Sequence, residues 1–351
     1  MTVVETPEAP VPTAEVEHRE GTSGVGRRAF LTAIVVGGVL RLAWVMWATV
    51  TPPGTTDPAL YLQIAEDFGN GIMPRFAGLD HSAYWPPGYP AILAPFVWFA
   101  DRTGWISPAF MASLVNVAAG TATIYLSGRL ADFWFGRSTR ATAAWLVALC
   151  PAIIYFTATA HTETVFTAVL LTMLLLCSFA ARDPSRNRWI VIGLLFGAAF
   201  LIRSPAVIVL AVPAVALRAE RGSWDGAVRA TVSVVVASLV LLVPWTIRNG
   251  VQVGIWSPGS TNNAAAACFG HNDGVEAEWE ASLADQELQQ ECFGGSPYDD
   301  IRLLEVYQEA GDLPEGTTLG NPDEPRWYRE KFGDALAWAV THPVQEVRLS
   351  A

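Results

Sequence analysis

Long apolar runs alternate with short polar breaks along most of this chain. Runs at residues 30–50, 108–126, 141–155, 164–180, 189–202, 205–217 and 230–245 are almost free of charge. Crossing the hydrocarbon core of a bilayer takes about 20 helical residues. The runs therefore predict about seven membrane helices, several of them short. Upstream, residues 1–26 are rich in Pro, Glu and Thr and carry almost no large apolar side chain. Such a segment buries too little surface to fold, and a disordered cytoplasmic tail is expected there. The first run follows Arg27-Arg28 and ends in no small-residue cleavage site, so it reads as an anchor and not as a cleaved signal. Trp44 and Trp47 suit its far interface.

Residues 51–107 interrupt the pattern. They are polar and Pro-rich, and their one apolar stretch, 91–100, is short and contains Pro95; a helix lying in the interface fits better than a span. From residue 248 the chain is polar again, with 18 acidic against six basic residues, so this segment carries the whole net charge of −11. Residues 324–349 read as a surface helix leading toward a crossing beyond residue 351, as in a fragment or a shortened relative. The expected organisation is a tail (1–26), a membrane domain (27–247) that includes the loop 51–107, and an acidic segment (248–351). The fold class is all-α and multi-pass.

Composition agrees with this division. The chain is 52% hydrophobic and 16% charged, where a soluble domain carries about 25% charged residues. The acidic balance argues against nucleic acid as a partner, since that requires basic patches. Charge also orients the helices. If 91–100 does not span, nine arginines (129, 137, 140, 182, 186, 188, 218, 221 and 229) fall in three connections on the side of the N-terminus. The positive-inside rule assigns that side to the cytoplasm. The loop 51–107, the turn at His161-Thr162-Glu163 and the acidic segment are then extracytoplasmic. Four cysteines are too few for a disulfide framework. Cys150 and Cys177 fall in apolar runs, whereas Cys268 and Cys292 lie in the acidic segment, where an oxidising compartment permits a bond.

Four groups of residues offer chemistry. Asp57, a few residues past the first run and followed by Tyr61, is either a helix-start residue ahead of Pro58 or a carboxylate base at a membrane surface. In the stretch SAYWPPGYPAILAP, two prolines fix an extended turn. Tyr84, Trp85 and Tyr89 there offer flat amphipathic faces suited to a sugar or headgroup, or form an interface belt. Glu163, with His161, sits between two apolar runs, where a carboxylate is costly and needs a partner; Arg41 or Arg203 can supply one. Arg203 can alternatively hold a phosphate. Arg248 and Asn249 close the last run, where an arginine also complements the helix dipole. His81, His161, His271 and Glu163 match no compact ligand spacing, so a divalent metal has no support and no cofactor is expected. Neither a Walker loop, a dinucleotide glycine fingerprint nor a Ser/His/Asp signature stands at a suitable position.

Taken together, the aspartate after the first helix, YLQIAEDFGNG, YWPPGYP, HTETVF, LIRSPA and PWTIRN resemble polyprenyl-phosphate-dependent GT-C glycosyltransferases. The resemblance is to the protein O-mannosyltransferase and aminoarabinose transferase relatives and covers roughly residues 27–270. It implies a GT-C-like helical bundle with extracytoplasmic juxtamembrane helices. It also implies inverting transfer of a sugar from a polyprenyl-phosphate donor to a hydroxyl of a lipid, glycan or protein acceptor at the cell membrane. By position it gives Asp57 the role of base and Glu163 that of second acidic residue, with Arg203 or Arg248 on the donor phosphate. Two departures stand out: Pro58 follows the aspartate where many relatives have an acid, and Trp85 precedes Pro86-Pro87 where some have Lys. A transporter would place polar residues near the membrane midplane, whereas the acidic groups here gather at one interface. A non-catalytic membrane subunit with an acidic docking tail is the other alternative.

Overall fold

In a computed structural model the described residues are 13–52, 56–73, 81–272, 286–294, 296 and 323–345. Thirteen α-helices run through them. We number them α1 (Thr13–Ala48), α2 (Asp57–Gly69), α3 (Gly88–Thr103), α4 (Pro108–Phe135), α5 (Arg137–Leu149), α6 (Pro151–Tyr155), α7 (Glu163–Arg182), α8 (Arg186–Ile202), α9 (Val212–Arg221), α10 (Ala227–Gln252), α11 (Asn262–Gly270), α12 (Gln286–Phe293) and α13 (Glu324–Thr341). No strand is assigned among these residues.

Four segments are long and apolar enough to cross a membrane: Gly26–Ala48 within α1, α4, α7 and α10. The run 141–155 is divided at Cys150-Pro151 into two helical pieces bent by 57°, and counts as a fifth span if taken as one. The bend has an identifiable cause. Pro151 has no N–H for the carbonyl of Val147. Arg41, fully buried on α1, fills the gap with Nη2 on Val147 O (3.0 Å) and Nη1 on Ala148 O (3.2 Å) and Gly37 O (3.0 Å). The two terminal nitrogens of a guanidinium inside a membrane helix are thereby satisfied by carbonyls. The run 205–217 is likewise no single α-helix. Ser204–Ala211 is 3-10 and α9 begins at Val212, beside Pro213. With α8 at 17 residues, fewer helices meet the length of a span than the seven apolar runs. Helix α1 begins at Thr13, so the second half of the tail expected to be disordered is helical; residues 1–12 lie outside the described residues.

Packing follows the apolar faces. One cluster joins α1, α4 and α5 through Phe30, Ala33, Ile124, Ala144 and Ala148. A second joins α7, α8, α9 and α10 through Cys177, Ile192, Phe196, Leu217 and Val234. Gly193 lets α8 touch α10 closely, since a Cβ there would stand 2.5 Å from the carbonyl oxygen of Val234; small residues serve this purpose between membrane helices. Large apolar side chains such as Val35, Met46, Trp47, Val228 and Val240 remain exposed on the outside of the bundle, a surface suited to lipid.

Helices α2 and α3 pack on each other beside this bundle. Tyr89, Leu93, Val97 and Ala100 bury one face of α3 while Phe96, Trp98 and Phe99 stay exposed on the other. At 16 residues with Pro95 inside, α3 has the dimensions of a helix against a membrane surface. Beyond α10, α11 packs on α13, and a disulfide joins Cys268 of α11 to Cys292 of α12.

Candidate active site

Connectivity brings the candidate residues to one end of the bundle. Helices α7 and α8 form an antiparallel pair, so the first residue of α7, Glu163, and the residue after α8, Arg203, meet at the same end. Backbone contact adds α3. A Cβ on Gly88 would lie 2.6 Å from the backbone of Leu201 and Ile202, so only glycine lets YWPPGY seat directly against LIRSP. Asn116 of α4 completes the frame, with Nδ2 on Thr159 O (2.7 Å) and Oδ1 accepting from the Tyr89 hydroxyl (3.3 Å).

Arg203 leaves α8 in extended conformation (φ −150°, ψ 116°). Its Nη1 donates to Glu163 Oε1 at 2.6 Å and Thr162 Oγ1 at 3.0 Å. Of the two partners weighed for Glu163, the structure thus selects Arg203, because Arg41 is occupied by carbonyls. The pair is 40% and 37% exposed on its two side chains, so a ligand can reach it. Three polar atoms nearby in sequence are buried and unpartnered: Glu163 Oε2, His161 Nδ1 and Ser204 Oγ. Buried polar atoms normally find partners.

Asp57 stands in the first turn of α2, where Thr56 is the N-cap. Among the described residues it makes no ion pair; its Oδ1 accepts from Trp85 Nε1 at 3.3 Å. Although Asp57 is exposed, partial desolvation pushes its carboxyl above the usual carboxylate range. The Trp85 hydrogen bond, His161 and Arg203 pull it down, and Glu163 pushes it up. Asp57, His161, Glu163 and Arg203 therefore share one electrostatic site.

The aromatic residues stand differently from expectation. Tyr61, Tyr84, Trp85 and Tyr89 are all buried. Tyr61 meets Tyr89 edge-on at 5.7 Å, and Tyr84 packs on Trp85 at 4.3 Å. Their faces are covered by one another and by Leu60, Ile64, Leu93 and Trp327, so they form the wall behind Asp57 and offer no open sugar platform. Burying large aromatic faces outweighs leaving them in water. Arg248 is also placed elsewhere. It is buried at the end of α10, with Nη1 on Ser82 O (2.7 Å) and Asn249 Oδ1 (3.1 Å) and its guanidinium over Trp245. It therefore does not join Arg203. His271 sits in the acidic segment, its Nδ1 at Ala267 O. Among the described residues no group of three or more His, Cys, Asp or Glu could hold a metal ion.

The described residues thus form a multi-pass helical bundle with a carboxylate and an arginine–glutamate pair at one end. Residues 86–247, a little under half of the chain, match the family described as dolichyl-phosphate-mannose-protein mannosyltransferase, and this segment is a GT-C type glycosyltransferase domain. The family uses a polyprenyl-phosphate sugar donor. The match contains Glu163 and Arg203, while Asp57 and Trp85 precede it and Arg248 follows it. No curated protein and no solved structure matches the chain.

Proposed function

We propose that this protein transfers a sugar from a polyprenyl-phosphate donor to an acceptor hydroxyl on the extracytoplasmic face of the cell membrane. The observation that carries this reading is the division of labour between its two carboxylates. Glu163 is engaged with Arg203 at 2.6 Å, whereas among the described residues Asp57 carries only a hydrogen bond from Trp85. A carboxylate engaged by a guanidinium is a poor base. Asp57, without an ion pair among the described residues and with a raised pKa, is suited to take a proton from an alcohol.

In this mechanism the acceptor O–H gives its proton to Asp57 while its oxygen attacks C1 of the sugar. The bond from C1 to the phosphate oxygen breaks, and the electron pair leaves with the polyprenyl phosphate. Arg203, steadied by Glu163 and Thr162, faces the departing oxyanion, where fixed positive charge lowers the barrier. Attack opposite the leaving group inverts the anomeric centre.

The test uses membranes holding the full chain, supplied with polyprenyl-phosphate sugars carrying labelled hexose or pentose. Label should move into a lipid, glycan or protein fraction. Absence of transfer from every such donor would favour the non-catalytic subunit. For the side of the membrane, Trp105→Cys should react with an impermeant thiol reagent in intact cells lacking Cys150, and Ser185→Cys should not. The reverse pattern contradicts the orientation.

A further inference from the structure

The most buried carboxylate among the described residues is Glu324, the first residue of α13, at 2% exposure. A lone buried acid is costly unless it is hydrogen-bonded, and Glu324 is fully engaged. Its Oε2 accepts from Ser82 Oγ at 2.9 Å, and its Oε1 accepts from the Ala83 N–H at 3.2 Å and from Thr261 Oγ1. Three elements grip the same short loop. Arg248 of α10 donates to Ser82 O. Ahead of and at the start of α11, the N–H groups of Thr261 and Asn262 donate to Ala83 O (2.9 Å) and Tyr84 O (3.2 Å). The Tyr84 N–H is held by Ser82 Oγ at 3.0 Å, and the Tyr84 ring lies 5.8 Å from that of Trp327, one helical turn beyond Glu324. The residue after this loop is Trp85, the hydrogen-bond donor to Asp57.

We infer that Glu324 is a positioning residue of the active site: it fastens residues 82–84 so that Trp85 presents its indole N–H to Asp57. The acidic segment is thereby part of the machinery and not a solvated appendage. Nothing in its sequence context sets this acid apart from the other 17 after residue 248; only its burial against the loop does. This inference rests on the proposal that Asp57 is the base.

The experiment uses the purified full chain in detergent or nanodiscs. It measures transfer rate against pH and hydrogen–deuterium exchange for Glu324→Ala, Glu324→Gln and Trp85→Phe. Loosening the loop weakens the Trp85 bond that pulls the Asp57 carboxyl down, so the acid limb of kcat/KM should move to higher pH. Around it His161 and Arg203 still favour the ionised form and Glu163 opposes it. Glu324→Ala should cost about ten-fold in kcat with KM little changed, the signature of a misplaced catalytic group. It should add almost nothing in a Trp85→Phe background, because both act on one bond. Amides of residues 82–85 should exchange faster while those of α4 and α7 keep their protection. Glu330→Gln, exposed on the same helix, should behave as wild type. If Glu324→Ala does not accumulate, Ser82→Ala cuts the same contact and should shift the pH limb in the same direction. An unchanged limb and unchanged exchange in whichever variant folds, or full additivity with Trp85→Phe, overturns the inference. If Asp57→Asn abolishes transfer while the Glu324 variants behave as wild type, this inference alone falls. If Asp57→Asn keeps full activity, the reading of the base falls first, and exchange at 82–85 still reports whether Glu324 fastens the loop.

Discussion

Replacing Arg203 by Met separates catalysis from stability. The Arg203–Glu163 pair is short, 2.6 Å, but its side chains are 40% and 37% exposed. Solvent screens such a pair, and measured values for exposed pairs run at about 0–1 kcal/mol. Loss of the pair should therefore lower stability by no more than about 1 kcal/mol. Catalysis has more at stake. A charge-assisted hydrogen bond is worth about 1.5–3 kcal/mol, which is roughly 10- to 150-fold in rate if it forms on the leaving phosphate. Loss of a preorganised positive charge facing an oxyanion adds to this. The expected result is a fall of about 100-fold in kcat/KM with a midpoint of thermal unfolding within a few degrees of wild type. Transfer of labelled sugar in membranes gives the first quantity, and a thermal-shift profile of the detergent-solubilised protein gives the second. Arg203→Lys should recover part of the rate, since the charge returns without the planar fork. A large loss of stability with a proportionate loss of activity would assign the pair to structure and refute this account of Arg203. So would full activity in Arg203→Met.

Three further predictions concern the frame around the site. Because the Asp57 carboxyl lies above its usual range, the active ionised base is lost as pH falls at a higher pH than for an ordinary carboxylate; Trp85→Phe removes a contact that lowers it, so a pH–rate series should show the acid limb moving up. Gly88→Ala forces a Cβ to 2.6 Å from the backbone of Leu201 and Ile202 at the end of α8 and should cost about 1–3 kcal/mol through overpacking, seen as a lowered thermal midpoint. Removing the Cys268–Cys292 bond, which closes a separation of 24 residues, should cost about 3 kcal/mol on the loop-entropy estimate. Mass spectrometry of the non-reduced protein and unfolding of Cys268→Ser check it.

Much of this arrangement is legible in the sequence, and the exceptions have physical causes. The apolar runs predict the helices because a bilayer demands continuous hydrophobic length, but the breaks at Pro151 and beside Pro213 divide two runs that composition alone joins. The pairing of Glu163 with an arginine follows from the cost of a carboxylate next to hydrocarbon. Choosing Arg203 over Arg41 needs the knowledge that Pro151 leaves carbonyls for Arg41 to fill. Tyr61, Tyr84, Trp85 and Tyr89 look like a sugar platform because amphipathic rings suit both a ligand and a core, and only packing tells the two apart. Arg248 at a helix end reads as accessible until Ser82, Asn249 and Trp245 are seen to enclose it. Glu324 carries no local signal at all. Its contacts with Ser82 and Ala83 span 242 and 241 positions, and such a pairing has no period or spacing to betray it.

The central claim is that Asp57 is the base of a sugar transfer. The measurement that tests it most directly is single-turnover transfer from a labelled polyprenyl-phosphate sugar by Asp57→Asn, with donor binding measured on the same preparation. Asparagine keeps the size of the side chain and can still accept from Trp85, but it has no carboxylate to take the proton. The account predicts that donor binding persists while transfer falls by at least about 1,000-fold, within the range seen when a catalytic base or its orienting carboxylate is removed. Transfer at the wild-type rate by Asp57→Asn would contradict it.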